Sequence, residues 1–161
     1  REEAAPSPFN TRETPPKAIS LAYRPAKSYA VIDINSADTS SFIALPGIGS
    51  KLASRIVLFR EKLGGFYSIS QVGETYGLPD STFQNIKQYF KLDNPMVRKI
   101  NINTATPDEL KSHPYIRYVL ANPIIAYRNQ HGAFAKPEDL KKVMAVTEDL
   151  YRKIAPYITT D

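Results

Sequence analysis

The sequence predicts an all-α protein. It would be two copies of a unit of four short helices and two tight turns, behind a disordered N-terminal tail. Three observations lead there. Residues 33–91 align with 101–159 without a gap. Apolar residues in both copies recur at helical spacing. Pro46 with Pro114 and Gly64 with Gly132 mark the same turn and helix end in each copy.

Residues 1–30 hold five prolines and little apolar periodicity. Pro15-Pro16 and Arg24-Pro25 disfavour helix, so this stretch reads as a flexible, Pro-rich tail or linker. Leu21, Tyr23 and Tyr29 are candidates for docking on the folded part, with a flexible spacer the favoured reading. The first unit then spans 31–92, a connector 93–100, and the second unit 101–161. Thirteen aligned positions are identical, among them Ile34/Ile102, Asn35/Asn103, Ala37/Ala105, Ile56/Ile124, Arg60/Arg128 and Phe66/Phe134. An ungapped match of this length implies two copies of one structural unit.

Within each unit the elements follow from local signals. The first helix starts near Asp38, and in the second copy at Thr106-Pro107-Asp108-Glu109, a capping box with proline in the first turn. The second helix runs from about Ser50 to Leu63, with Leu52, Ile56, Phe59 and Leu63 on one face, and stops at Gly64-Gly65. Ser68-Ile69-Ser70-Gln71 opens a third helix through Val72 with another capping box. Tyr76-Gly77-Leu78-Pro79-Asp80 makes the second turn, and a last helix covers about Ser81 to Phe90. Units this small bury modest cores, so the two are expected to pack together. The shared charges Arg60 and Arg128 are expected to serve structure.

The first turn, Leu45-Pro46-Gly47-Ile48-Gly49-Ser50-Lys51, carries the functional signal. Gly47 and Gly49 let the chain reverse while Ile48 fills the core. The helix start that follows offers free N–H groups and the positive end of the helix dipole, which suits an anion. Lys51, Arg55 and Lys62 lie within about 40° of one another on that helix, a basic stripe leading from the anion site. In the second copy Gly47 and Gly49 become Tyr115 and Arg117, and the stripe becomes Val119, Pro123 and Gln130. Pro123 is expected to kink the second helix or restart it at Asn122. Glycines and stripe vanish together, as expected if both serve phosphate binding in one copy only. Tyr115, Arg117 and Val119 are then the candidate surface for a protein partner.

Composition narrows the remaining classes. The net charge is +5, spread as +2 over residues 1–32 and +1 over each of 33–91, 92–100 and 101–161. This allows weak nucleic-acid binding without arguing for it. There are no cysteines, and no apolar run approaches the ~18 residues of a membrane helix. The chain begins at Arg1, which predicts a fragment of a longer protein. His113 aligns with Leu45 and is expected half-buried; His131 ends a helix, where a cation is favourable. The two are not at metal-ligand spacing, so no metal site is expected. The pairs Asp108-Glu109, Glu138-Asp139 and Glu148-Asp149 sit at helix starts, where the dipole accounts for them. No nucleophile motif or phosphate-binding Walker loop is present, so the reading is a binding protein, not an enzyme. Tyr89, Tyr127, Tyr151 and Tyr157 fall at inward repeat positions and are expected in the cores.

The Leu-Pro-Gly-Ile-Gly-Ser-Lys-Leu-Ala run between two amphipathic segments closely resembles the helix-hairpin-helix motif of sequence-independent DNA-binding proteins. With Asp-Ile-Asn-Ser-Ala (33–37) and Asn-Ile-Asn-Thr-Ala (101–105) opening the units, residues 31–160 resemble the ComEA-type competence proteins. That resemblance implies a receptor for double-stranded DNA during uptake, with other parts of a DNA-uptake apparatus as protein partners. It implies a periplasmic or cell-surface location, anchored to the membrane by a segment outside this chain; a cytoplasmic location stays open. Carried over by position, the phosphate site is Gly47, Ile48, Gly49, Ser50 and Lys51, extended by the stripe residues Arg55 and Lys62. The resemblance also implies a monovalent cation on the loop carbonyls of the first hairpin, and no other cofactor. A similar fold resembles an extrinsic photosystem subunit that does not act on DNA, so fold alone does not decide function. The alternatives are an extracytoplasmic protein-interaction scaffold and a DNA-targeting module of a larger repair or nuclease protein.

Overall fold

The computed structural model describes residues 28–161. The tail assigned to residues 1–27, with Leu21 and Tyr23, lies outside the described residues. Tyr29 is inside them and packs edge-on against Tyr89, ring centroids 5.1 Å apart.

The first unit runs β1 (Ile32–Asp33), α1 (Thr39–Ile43), α2 (Ser50–Leu63), a 3₁₀ helix (Ile69–Glu74), α3 (Asp80–Ile86), a 3₁₀ turn (Lys87–Tyr89) and β2 (Phe90–Lys91). The second repeats it: β3 (Ile100–Asn101), α4 (Pro107–Ser112), α5 (Arg117–His131), a 3₁₀ helix (Pro137–Lys142), α6 (Glu148–Ile154), a 3₁₀ turn (Ala155–Tyr157) and β4 (Ile158–Thr159). The capping boxes at Ser68/Gln71 and Thr106/Glu109 form, and Gly64 closes α2 at φ 92°.

Three features differ from the sequence reading. The third helix of each unit is 3₁₀, six residues long. The last helix is shorter than expected, because Phe90 and Ile158 leave it for two-residue parallel strands. β1 pairs with β2 and β3 with β4, so each unit is tied shut at its ends. Third, α5 runs unbroken through Pro123. Proline removes from that helix the hydrogen bond to the carbonyl of Val119, a residue on its exposed side.

The identical positions hold each unit together by the same bonds. Asn35 bridges to Phe66, accepting its N–H at 2.7 Å and donating to its carbonyl at 2.8 Å. Asn103 does the same at Phe134, at 2.7 and 3.0 Å. Arg60 donates to the Ile34 and Ala37 carbonyls, and Arg128 to those of Ile102 and Ala105. Both arginines thus have the structural role expected of them, tying the second helix to the start of its unit.

Each unit has its own apolar core, around Phe42, Ile56, Phe66 and Ile86 in the first and Leu110, Leu120, Ile124 and Ile154 in the second. Tyr157 crosses over: it belongs to the second unit but is fully buried in the core of the first. Its hydroxyl donates to the Gly65 carbonyl at 2.6 Å and accepts from the Gln71 amide at 2.8 Å. Tyr115 joins the same seam, donating to Glu74 at 2.7 Å and accepting from Gln71, while Lys153 pairs with Glu74 at 2.9 Å. Burial holds both tyrosine hydroxyls firmly protonated.

His113 is fully buried at this seam, not half-buried as its repeat position suggested. Its Nδ1 accepts the Tyr115 N–H at 3.2 Å and its Nε2 lies 3.1 Å from the Leu63 carbonyl. A carbonyl can only accept, so the ring is the neutral Nε2–H tautomer with both nitrogens satisfied. Burial holds its pKa down at about 4, against a smaller opposing pull from the Leu63 carbonyl.

Candidate nucleic-acid interface

Each unit has two hairpins, and the four can be compared. In the first, Ile48 N–H bonds back to Leu45 and the first intrahelical bond is Ala53 N–H to Gly49. No hydrogen bond to an atom of the described residues takes the N–H groups of Gly49, Ser50 or Lys51. No side chain caps α2, and no acidic residue lies in its first turn. The N–H cluster therefore faces solvent, with the helix dipole behind it and Lys51 beside it.

The other three hairpins spend or offset that capacity. The second leads into α3 with Asp80 in the first turn. The fourth has Thr147 capping the Leu150 N–H at 3.1 Å, with Glu148 and Asp149 in the first turn. The third uses three of its turn amides internally; the Tyr118 and Val119 N–H groups stay unpartnered among the described residues, but Arg117 brings a side chain where the first hairpin has Gly49. Tyr115 N–H goes to the His113 ring, and Ile116 and Arg117 N–H both go to the His113 carbonyl at 3.0 Å.

The two glycines of the first hairpin do different work, against the expectation that both serve backbone angles. Gly47 sits at φ +82°, and a Cβ there would come within 2.9 Å of the Thr82 methyl, so the turn itself requires glycine. Gly49 has φ −93° and ψ −179°, open to any residue, and a Cβ would meet nothing within 4 Å. Its lack of a side chain leaves open space beside the Gly49 and Ser50 amides. Ile48 is buried and offers only its backbone. The Pro46, Gly47 and Ile48 carbonyls accept no hydrogen bond among the described residues, so oxygen ligands for the implied monovalent cation are present.

The basic stripe turns towards the second unit. Arg55 and Lys62 line a cleft of about 430 Å³ together with Lys111 and Arg117 across the gap. None of the four lies within 4 Å of a carboxylate among the described residues. The Arg55 guanidinium sits 5.2 Å over the Tyr76 ring, in space that a Cβ at Gly77 would occupy. Lys111, Tyr76 and Tyr118 carry no functional reading in the sequence. Two exposed tyrosines at turn and helix-start positions were the available signal.

Of the candidate partner residues, Tyr115 corrects the reading. It is half-buried and hydrogen-bonded to the first unit, so it holds the units together. Arg117 and Val119 remain exposed, with Tyr118 between them. Among the other tyrosines, Tyr157 is fully buried, while Tyr89, Tyr127 and Tyr151 are half-buried against the cores.

A family model described as the helix-hairpin-helix motif matches residues 27–91 and again 96–159. The chain belongs to the helix-hairpin-helix family. It is 29% identical over 141 residues to Endonuclease/exonuclease/phosphatase family domain-containing protein 1 of Danio rerio, covering 76% of this chain and 26% of that protein. The Homo sapiens protein of that name is 25% identical over 141 residues, 70% of this chain and 25% of its own length. ComE operon protein 1 of Bacillus subtilis is 42% identical over 60 residues, 37% of this chain and 29% of that protein. The chain thus spans about a quarter of the length of these relatives. No solved structure is a significant match. No helix of the described residues is long and apolar enough to cross a membrane.

Proposed function

We propose that the chain is a non-enzymatic module that binds double-stranded DNA without regard to sequence, through phosphate contacts at the first hairpin. One observation carries the reading. Among the four hairpins, the first alone combines free amides, an uncapped helix start without acidic residues, and open space over Gly49. The amides of Gly49, Ser50 and Lys51 hold one phosphate, and the Lys51, Arg55 and Lys62 side chains reach its neighbours. Such contacts position DNA but read no bases.

The setting of this binding is a second part of the proposal. The likeness to ComE operon protein 1 favours a role in DNA uptake, at the cell surface or in the periplasm, beside other parts of an uptake apparatus. The relatives that match across both units favour a DNA-targeting module within a longer protein whose catalytic part lies elsewhere. Both settings use the same hairpin.

Fluorescence anisotropy with labelled blunt duplex, across a salt series, tests the binding. Two or three phosphate contacts give a log–log salt slope of about −2 to −3. Gly49→Ala keeps the fold, because its Cβ meets nothing, but adds a methyl group beside the Gly49 and Ser50 amides. Affinity should fall by about tenfold or more, as expected when charge-assisted hydrogen bonds are lost. Duplex affinity unchanged in a folded Gly49→Ala variant would remove the hairpin from the interface.

A further inference from the structure

We propose that the cleft between the two units is a second nucleic-acid site, one that takes a single strand. Its phosphates would lie on Arg55, Lys62, Lys111 and Arg117, and its bases would stack on Tyr76 and Tyr118. This goes beyond the duplex-phosphate site at the first hairpin: the two share Arg55 and Lys62, but the hairpin amides serve only the duplex, and Lys111, Arg117, Tyr76 and Tyr118 serve only the single strand.

The cleft has the size and chemistry for this. Its volume of about 430 Å³ lies within the range of roughly 300–1,000 Å³ for ligand pockets. Four cations face it from both units, with no described carboxylate paired to them. Tyr76 is 82% exposed and Tyr118 67%. Neither ring contributes to a core, and large flat rings held in water beside cations are the platform on which unpaired bases stack. A duplex keeps its bases inside and cannot use them. An acidic peptide would use the cations and leave the rings idle.

The repeat supplies a control. The second unit has a groove at the equivalent place, between its second helix and second hairpin. There Arg55, Lys62 and Tyr76 are replaced by Pro123, Gln130 and Met144. The fold forms this groove without cations, so the cations of the first unit are not there for folding.

Arg117 adds an independent sign. It aligns with Gly49 and adopts φ 49°, the left-handed region, as no other non-glycine described residue does. Glycine would adopt this conformation freely, whereas arginine is disfavoured there. The chain keeps a strained arginine whose side chain lines the cleft, and backbone strain of this kind gathers at binding sites.

The test uses the full chain with two fluorescent probes, a single-stranded oligothymidine of about eight nucleotides and a blunt duplex. Oligothymidine should bind at low salt. Tyr118→Ala should weaken it by about tenfold, the effect of losing one stacked base, while Tyr118→Phe keeps affinity. Tyr118→Ala should leave blunt-duplex affinity unchanged. Gly49→Ala should do the reverse, weakening duplex and sparing oligothymidine. No binding of oligothymidine overturns the proposal, as does equal binding by Tyr118→Ala and the natural chain. Competition by polyglutamate as effective as by unlabelled oligothymidine also overturns it, by reducing the cleft to an acidic-peptide site. Duplex binding without oligothymidine binding refutes this inference alone, and the converse refutes the hairpin reading alone.

Discussion

Between about pH 7.5 and about pH 5, acid should loosen this protein through His113. In the folded chain its pKa is about 4, against an ordinary 6.5, because burial penalises the charged ring by more than the Leu63 carbonyl favours it. A second proton would have to sit on Nδ1, pointing at the Tyr115 N–H. The unfolded chain therefore binds the extra proton more readily than the folded one. Stability from this group is at its full value above the unfolded pKa and falls as pH drops from 6.5 towards 4. Integrating the two titrations from about pH 7.5 to about pH 5 gives a loss of about 2 kcal/mol. Urea denaturation followed by circular dichroism at those two pH values measures it. His113→Leu, which installs the residue of the first copy, should be less stable throughout, because it strands the Leu63 carbonyl and the Tyr115 N–H. Its stability should nevertheless change by about 2 kcal/mol less over the same interval. Carboxylates titrate equally in both proteins, so the difference isolates the histidine. An identical pH dependence in the two would refute the argument.

Other substitutions probe the scaffold. Gly47→Ala should destabilise the first unit by about 1–3 kcal/mol in the same assay, from the positive φ and the contact with Thr82. Arg60→Ala should cost about 2–3 kcal/mol, because two carbonyls of the first unit lose their charged donor. Arg128→Ala should cost about the same in the second unit, since its bonds are equivalent. Tyr157→Phe removes the bonds to Gly65 and Gln71 at the centre of the seam and should cost about 1–2 kcal/mol, read as a lower thermal midpoint.

Much of the architecture is local in origin, which is why one sequence reveals it. Asp38, Ser68 and Thr106 cap the helices that follow them through their own side chains, and Gly64 stops α2 by taking a left-handed angle. The repeat doubles each signal. Asn35 with Asn103, and Arg60 with Arg128, stand out as polar identities in an otherwise apolar match. The paired strands escaped notice because two residues are too few to show a period, and their partners lie nearly a whole unit away.

The hairpin shows the division most sharply. Gly47-Ile48-Gly49 marks a phosphate-competent turn by residue type alone, yet the separate purposes of its glycines depend on what surrounds them. Thr82 presses on Gly47 from another helix, while nothing stands over Gly49. Tyr115 reads in sequence as a lost glycine, and only the seam with Gln71 and Glu74 shows what it gained. The cleft is more distant still: Arg55 and Lys62 meet Lys111 and Arg117 only because two cores dock in one orientation. Sequence by itself determined the repeated helical unit and its caps, since these act within a few residues along the chain. Tertiary structure alone decided which charges face one another and which amides stay free, since both depend on how remote segments pack.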